Sequence, residues 1–159
     1  MSNEIERKFF LKDKKILESS IDFLEIEQFY LNSGKNQSTR IRLIKNENLS
    51  FLTIKTKKSA NSILRKEFEY EVPYEDGVEM SSMALSYIKK DRYVIPYSDD
   101  KEIFWEVDVF KDNNEGLIIV EIEMPTEDYC LNLPLWLGDE VTENSEYNSN
   151  QKLSLNNNQ

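Results

Sequence analysis

Over residues 64–73 the sequence LRKEFEYEVP alternates with period two: Arg65, Glu67, Glu69 and Glu71 share one side of an extended chain, and Lys66, Phe68, Tyr70 and Val72 share the other. A helix would scatter these residues around its axis, so the spacing predicts a strand with a charged face. The same spacing recurs along the chain. Residues 3–10 set Glu4, Glu6 and Lys8 against Ile5, Arg7 and Phe9. Residues 39–44 set Arg40 and Arg42 against Ile41 and Leu43, and residues 50–55 set Thr53 and Lys55, with Lys57 beyond, against Leu52 and Ile54. Lys90 and Arg92 share a face in 87–95; in 102–110 Glu106 and Asp108 oppose Trp105, Val107 and Val109; in 117–125 Glu121 and Glu123 oppose Val120, Ile122 and Met124. With the aromatic and aliphatic run at 25–32, that makes eight predicted strands.

Turn residues separate them, at 33–36 (SGKN), 46–48 (NEN) and 112–116 (DNNEG), with a polar, mobile loop expected over 57–62. Helix is sparse: a short helix-compatible stretch at 12–20 and a better candidate at 75–86. Residues 128–137, with Leu131, Leu133, Leu135 and Trp136, would cover an apolar sheet face. The Asn-rich end beyond Tyr147 is expected to fray, so the domain is read as 1–147 with a tail at 148–159.

A length of 159 residues suits one domain with a real core. No run approaches the roughly 20 apolar residues of a membrane helix, and no apolar stretch follows a basic N-terminus, so the expected compartment is the cytoplasm. A lone Cys130 excludes an intrachain disulfide. The absence of histidine removes histidine bases, Ser-His triads and the common zinc-ligand sets. Acid-base or metal chemistry must therefore use Asp, Glu, Lys, Arg or Tyr, and hard oxygen donors of that kind suit magnesium, manganese or calcium. A net charge of −10 argues against nucleic-acid or anionic-membrane surfaces, so an anionic ligand needs a local basic pocket.

Charge sign is sorted by strand. The Arg40/Arg42 and Lys55 strands are basic and adjacent in sequence; the Glu106/Asp108 and Glu121/Glu123 strands are acidic and adjacent. A solvated face would intersperse the signs, because like charges side by side repel. An anion between the basic rows, with divalent cations towards the acidic rows, would neutralise both. Roughly eight strands closed into a barrel can enclose a ligand of that size.

These residues together resemble the CYTH superfamily, the triphosphate tunnel metalloenzymes. Its E-x-E-x-K signature matches Glu4, Glu6 and Lys8. The ordered companions are Arg40/Arg42, Thr53/Lys55, Arg65/Glu67/Glu69, Lys90/Arg92, Glu106/Asp108, Glu121/Glu123 and a closing Trp136, Gly138, Glu140, Val141, Thr142. The resemblance spans residues 3–147 and implies an α+β, mainly β fold: an eight-stranded antiparallel closed barrel with a few flanking helices. It implies that Lys8, Arg40, Arg42, Lys55, Arg65 and Arg92 bind phosphate oxygens. Glu4, Glu6, Glu67, Glu69, Glu106, Asp108, Glu121 and Glu123 would hold Mg2+ or Mn2+, with Glu4 and Glu6 central to catalysis. Lys90 would stabilise or protonate the leaving phosphate. One departure is Glu146 before Tyr147, with Ser149 two positions after it, where many relatives have a basic residue and an asparagine.

Activities in this family include tripolyphosphate, thiamine triphosphate and RNA 5'-triphosphate hydrolysis and ATP cyclisation. Cyclase members usually carry a His-Phe pair before the signature, and here only Met1, Ser2 and Asn3 precede Glu4. The compact length resembles the small bacterial tripolyphosphatases. The expectation is a metal-dependent hydrolase acting on inorganic tripolyphosphate as a monomer or homodimer, without nucleic-acid or membrane partners. Thiamine triphosphatase, nucleoside triphosphatase, a class IV adenylyl cyclase and a non-catalytic polyphosphate- or nucleotide-binding tunnel are the alternatives. The run of carboxylates argues against the last, since a pure phosphate binder has no need of them.

Overall fold

The computed structural model describes residues 2–32, 37–56, 64–144, 146–147 and 150–155; the turn expected at 33–36, the loop at 57–62, Ser149 and the last residues of the tail lie outside them. Nine strands form: β1 (Ser2–Leu11), β2 (Asp22–Tyr30), β3 (Gln37–Ile44), β4 (Leu49–Thr56), β5 (Leu64–Val72), β6 (Ser86–Pro96), β7 (Phe104–Phe110), β8 (Ile118–Glu123) and β9 (Leu137–Glu140). The order β5-β4-β3-β2-β6-β7-β8-β1 closes through a β1–β5 pairing, and every pairing is antiparallel, giving the expected eight-stranded barrel. The turns fall where glycine and asparagine signalled them: Asn48 and Asp112 adopt left-handed backbone at φ 57, and Gly116 does so at φ 97.

β9 is additional. Too short to show alternation, it pairs with the second half of β1, Phe9 opposite Glu140 and Leu11 opposite Leu137, where β5 has left that edge. Val141 N–H donates to the Lys8 carbonyl, and the Thr142 hydroxyl accepts from Lys8 N–H at 3.0 Å. The closing motif of the sequence is therefore a seam that holds the strand carrying Glu4, Glu6 and Lys8.

The outer apolar face is covered in two places. A 3-10 turn at Lys14–Ser19 brings Ile16 and Leu17, and the following cover brings Tyr129, Leu131 and Trp136, onto Phe9, Trp105, Val107, Val120 and Ile122. Leu133 and Leu135, expected in this cover, point to solvent instead at 51% and 94% exposure. Helix α1 (Tyr74–Ser81) covers β3 and β4, packing Tyr74 and Met80 against Ile41, Leu43 and Leu52. It lies so close that a Cβ on Gly77 would overlap Ser50 Oγ and press on Leu43. The helix ends before the predicted residue 86 because 82–85 turn back and Leu85 N–H bonds the Tyr30 carbonyl at the entry to β6. The outer face of β5 is left open, with Tyr70 59% exposed.

The inner face is not charged from end to end. Towards one end it turns apolar on five strands: Lys8 gives way to Phe10, Gln28 to Tyr30, Lys90 to Ile88, Asp108 to Phe110 and Glu121 to Ile119. Tyr30, Ile88, Phe110 and Ile119 pack with Val141 and Leu153, and Phe10 and Tyr147 adjoin them. Leu153 belongs to α2 (Asn150–Ser154), a short helix within the stretch read as tail. It is anchored by Asn114 Nδ2 donating to the Leu153 carbonyl at 3.1 Å and by a Ser86–Ser154 hydroxyl pair at 2.6 Å. Burial of Leu153 against this apolar end supplies the driving force that the polar composition hid.

Candidate active site

The charged remainder of the barrel interior is a cavity of about 210 Å3. Its walls carry Glu4, Glu6, Lys8, Arg40, Arg42, Lys55, Arg65, Glu67, Glu69, Arg92, Glu106, Glu121 and Glu123, so thirteen of the fifteen residues singled out from the sequence meet there. Lys90 and Asp108 do not line it. They sit deeper, next to Phe110, with Lys90 1% and Asp108 0% exposed. Tyr30, Ser38 and Asn150 also line the cavity, and the sequence reading missed them because none carries charge.

The cross-strand register sets who pairs with whom. Lys55 stands opposite Glu67 and also reaches Glu4, at 3.5 and 3.0 Å. Lys8 stands opposite Glu121, at 3.4 Å, and lies 3.7 Å from Glu6 on its own strand. Burial works against the Lys8 ammonium, but Glu121 and Glu6 outweigh it and hold its pKa above the ordinary lysine value. Burial likewise opposes the Glu121 carboxylate, while Lys8, Lys90 and Arg92 keep it well below the usual range. Thr53 donates to Glu69 at 2.8 Å.

The family resemblance places Asp108 among the metal ligands. Here both its oxygens are taken: Oδ1 accepts from Arg92 Nε at 2.7 Å, and Oδ2 accepts from Arg92 Nη2 at 2.9 Å and from Lys90 Nζ at 2.6 Å. Arg92 also reaches Glu106 at 3.1 Å. Burial is the largest influence on Lys90 and, with Arg92 and Arg42, pushes its ammonium down to about 7 against the pull of Asp108.

Arg40 and Arg42 differ from the other cations. Arg40 is 4% exposed with its Nε unbonded, and among the described residues neither guanidinium has a carboxylate within ion-pair distance. Arg42 Nε donates to Gln28 Oε1 at 2.7 Å, and Gln28 Nε2 donates to the Tyr30 hydroxyl at 3.0 Å. Desolvation, with Arg40 and Arg92 adding repulsion, pushes Arg42 down to about 10. In the closed strand order β3 lies across the barrel from β8, which carries Glu121 and Glu123. Burial opposes the Arg40 guanidinium too, but Tyr30, Glu67, Glu4 and Glu69 outweigh it and hold it above its ordinary value. Of the two it is Arg42 whose charge is under-compensated, which suits the wall of β3 to an anion.

The opposite side is short of positive charge. Desolvation and the facing carboxylates Glu4, Glu67, Glu6 and Glu106 push Glu123 up to about 7, and burial with Glu121 raises Glu6. Hard oxygen donors that repel one another suit a divalent cation in kind and in charge. Among the described residues no three acidic side chains already converge as an ion site. Glu4 is held by Lys55, and Glu6 and Glu121 by Lys8, so these side chains must turn from their lysines to take a cation. A second cavity adjoins the mouth through Glu106 and Glu123 and carries Val94, Phe104 and Met124. No helix among the described residues is long and apolar enough to cross a membrane.

The family model for the CYTH domain matches residues 2–154. An inorganic triphosphatase of Acetivibrio thermocellus is 35% identical over 155 residues, covering 94% of this chain and 93% of that protein. One of Nitrosomonas europaea is 30% identical over 156 residues, covering 96% and 97%. The crystal structure of an inorganic triphosphatase superposes with a TM-score of 0.68 at 26% identity, covering 98% of this chain and 96% of that one.

Proposed function

The chain belongs to the CYTH domain family, and from that premise we propose that it is a divalent-metal-dependent triphosphatase that cleaves inorganic tripolyphosphate to diphosphate and phosphate. The observation that carries this reading is the guanidinium pair on β3, Arg40 buried and Arg42 half-buried, with no carboxylate within ion-pair distance among the described residues and across the barrel from Glu121 and Glu123. Phosphoryl transfer needs positioning and neutralisation of phosphate oxygens more than covalent chemistry, and a ring of cations meets that need. Arg40 and Arg42 hold one stretch of the triphosphate, and Lys8, Lys55, Arg65 and Arg92 surround the rest. Phosphate oxygens compete with Glu4, Glu6 and Glu121 for Lys8 and Lys55, which releases carboxylates towards a cation.

Glu4, Glu6, Glu67, Glu69, Glu106, Glu121 and Glu123 are the groups that would hold magnesium or manganese; Asp108, with both oxygens engaged, would act by fixing Lys90 and Arg92. A bound divalent ion would neutralise phosphate charge and make a water more acidic. Lys90, pushed down to about 7 by burial, sits below the cavity against Asp108, so to donate its proton towards the leaving phosphate it must turn from that carboxylate. The second cavity beside the mouth favours an organic triphosphate as the alternative substrate, since Val94, Phe104 and Met124 give an attached group an apolar seat.

Phosphate release from tripolyphosphate, ATP and thiamine triphosphate, each with magnesium or manganese, separates these readings. The expected result is metal-dependent release that is fastest from tripolyphosphate. Cyclic AMP as the main product from ATP, or no turnover of any triphosphate, would overturn the assignment.

A further inference from the structure

Gln28 is a fully buried amide, 0% exposed, on the inner face of β2, and it stands opposite Arg42 on β3. Its orientation is forced by its neighbours. A guanidinium can only donate, so the 2.7 Å contact with Arg42 Nε fixes Oε1 on that side. Nε2 must then face Tyr30 and donate to its hydroxyl oxygen at 3.0 Å. The phenolic proton is consequently turned away from Gln28, and Tyr30 lines the cavity. One amide thus settles two directions. By occupying Arg42 Nε it leaves both terminal nitrogens of that guanidinium for the cavity, and by donating to Tyr30 it makes that hydroxyl a donor as well.

We infer that Gln28 is a positioning residue for substrate binding: the one-way chain from Arg42 through Gln28 to Tyr30 aims two hydrogen-bond donors at the same anionic oxygens. This rests on the reading of the cavity as a triphosphate site. Gln28 touches no substrate itself. An apolar residue of the same length would leave Arg42 free to swing and Tyr30 free to turn its proton elsewhere. A glutamate would keep the Arg42 contact but reverse the second link, because a carboxylate accepts the Tyr30 proton.

The test is the KM for tripolyphosphate in Gln28→Met, Gln28→Glu, Tyr30→Phe, the two double variants and Arg40→Ala, with thermal unfolding of each ligand-free protein as the check on folding. Losing donors to an anion should raise KM about tenfold in either Gln28 variant. Tyr30→Phe should then add nothing to Gln28→Glu and less than its own effect to Gln28→Met, since the donor it removes is already misdirected. Effects that multiply in both double variants would overturn the inference, as would an unchanged KM in Gln28→Glu. Gln28→Glu is close to isosteric, so it decides the matter even where Gln28→Met fails to fold. Arg40→Ala separates the two levels: if it raises KM while the Gln28 variants do not, the positioning role alone falls. If Arg40→Ala leaves KM unchanged, the triphosphate reading of the cavity falls, and the inference with it.

Discussion

Replacing Arg42 by methionine should make the ligand-free protein more stable and the substrate complex less so. The half-buried guanidinium is pushed from an ordinary 12.5 to about 10 by desolvation and by Arg40 and Arg92. At about 1.4 kcal/mol per tenfold change in proton affinity, that corresponds to roughly 3 kcal/mol of unfavourable environment at neutral pH. For a base with a depressed folded pKa, this cost is fully present below about 10 and is relieved only as pH climbs towards 12.5. Methionine removes it at similar length but orphans Gln28 Oε1, which costs about 1 kcal/mol. The net gain is about 2 kcal/mol, or a rise in melting temperature of about 4–8 °C for a chain of this size. Calorimetric melts with and without tripolyphosphate and magnesium read both sides at once: the ligand-free midpoint should rise and the ligand-induced shift should shrink. A lower ligand-free midpoint would refute the claim that Arg42 waits uncompensated for an anion. An undiminished ligand-induced shift would remove it from the binding site.

Lys8→Ala and Glu6→Ala should each abolish most tripolyphosphate turnover while circular dichroism reports a folded barrel; full turnover in both would dismiss the site. Glu123 has its folded pKa raised to about 7, so it binds a proton in the native state at pH values where the unfolded chain has lost it. The stability it contributes is therefore fully present below about 4.5 and is lost as pH rises through 7. Glu123→Gln should flatten that decline in thermal melts, and magnesium should raise the midpoint more at pH 8 than at pH 5; equal shifts at both would contradict it. Gly77→Ala should destabilise by about 1–3 kcal/mol through overpacking against Ser50 and Leu43 while leaving KM unchanged, measured by urea unfolding and steady-state kinetics.

The charged face was legible because period two is a strong signal when every second residue is ionised, as in Arg65, Glu67 and Glu69. The same signal hid β2's contribution. Gln28 and Tyr30 lie on the inner face, but a neutral amide and a phenol read as ordinary strand residues, and only the register opposite Arg42 and Arg40 reveals them. Asp108 was misplaced for a different reason. Alternation gives the face and not the depth along the barrel, and depth separates the exposed end of Glu123 from an aspartate locked beneath Arg92. The apolar end escaped notice because each strand contributes only one or two of its residues, which no single segment displays as a cluster. Leu133 and Leu135 show the converse limit, since apolar spacing in a loop carries no period that says which side chains turn inward.

β1 shares its edges with β5, β8 and β9, and Lys8 is bonded to Thr142, 134 positions along the chain. A chain emerging in order carries β1 with no partner for its second half until β8 and β9 have been made. Contacts of such separation are slow to form, and an unpaired strand edge is open to wrong pairing while it waits. Glu4, Glu6 and Lys8 are the side chains that keep this waiting edge soluble, because charge on a strand discourages edge-to-edge association. Since Lys8 meets Glu121, and Glu4 meets Lys55, only when the hoop is shut, binding competence should arrive late in folding. A refolding trace followed by tripolyphosphate binding should therefore lag one followed by β2–β3–β4 hairpin formation, the slowest phase belonging to the seam.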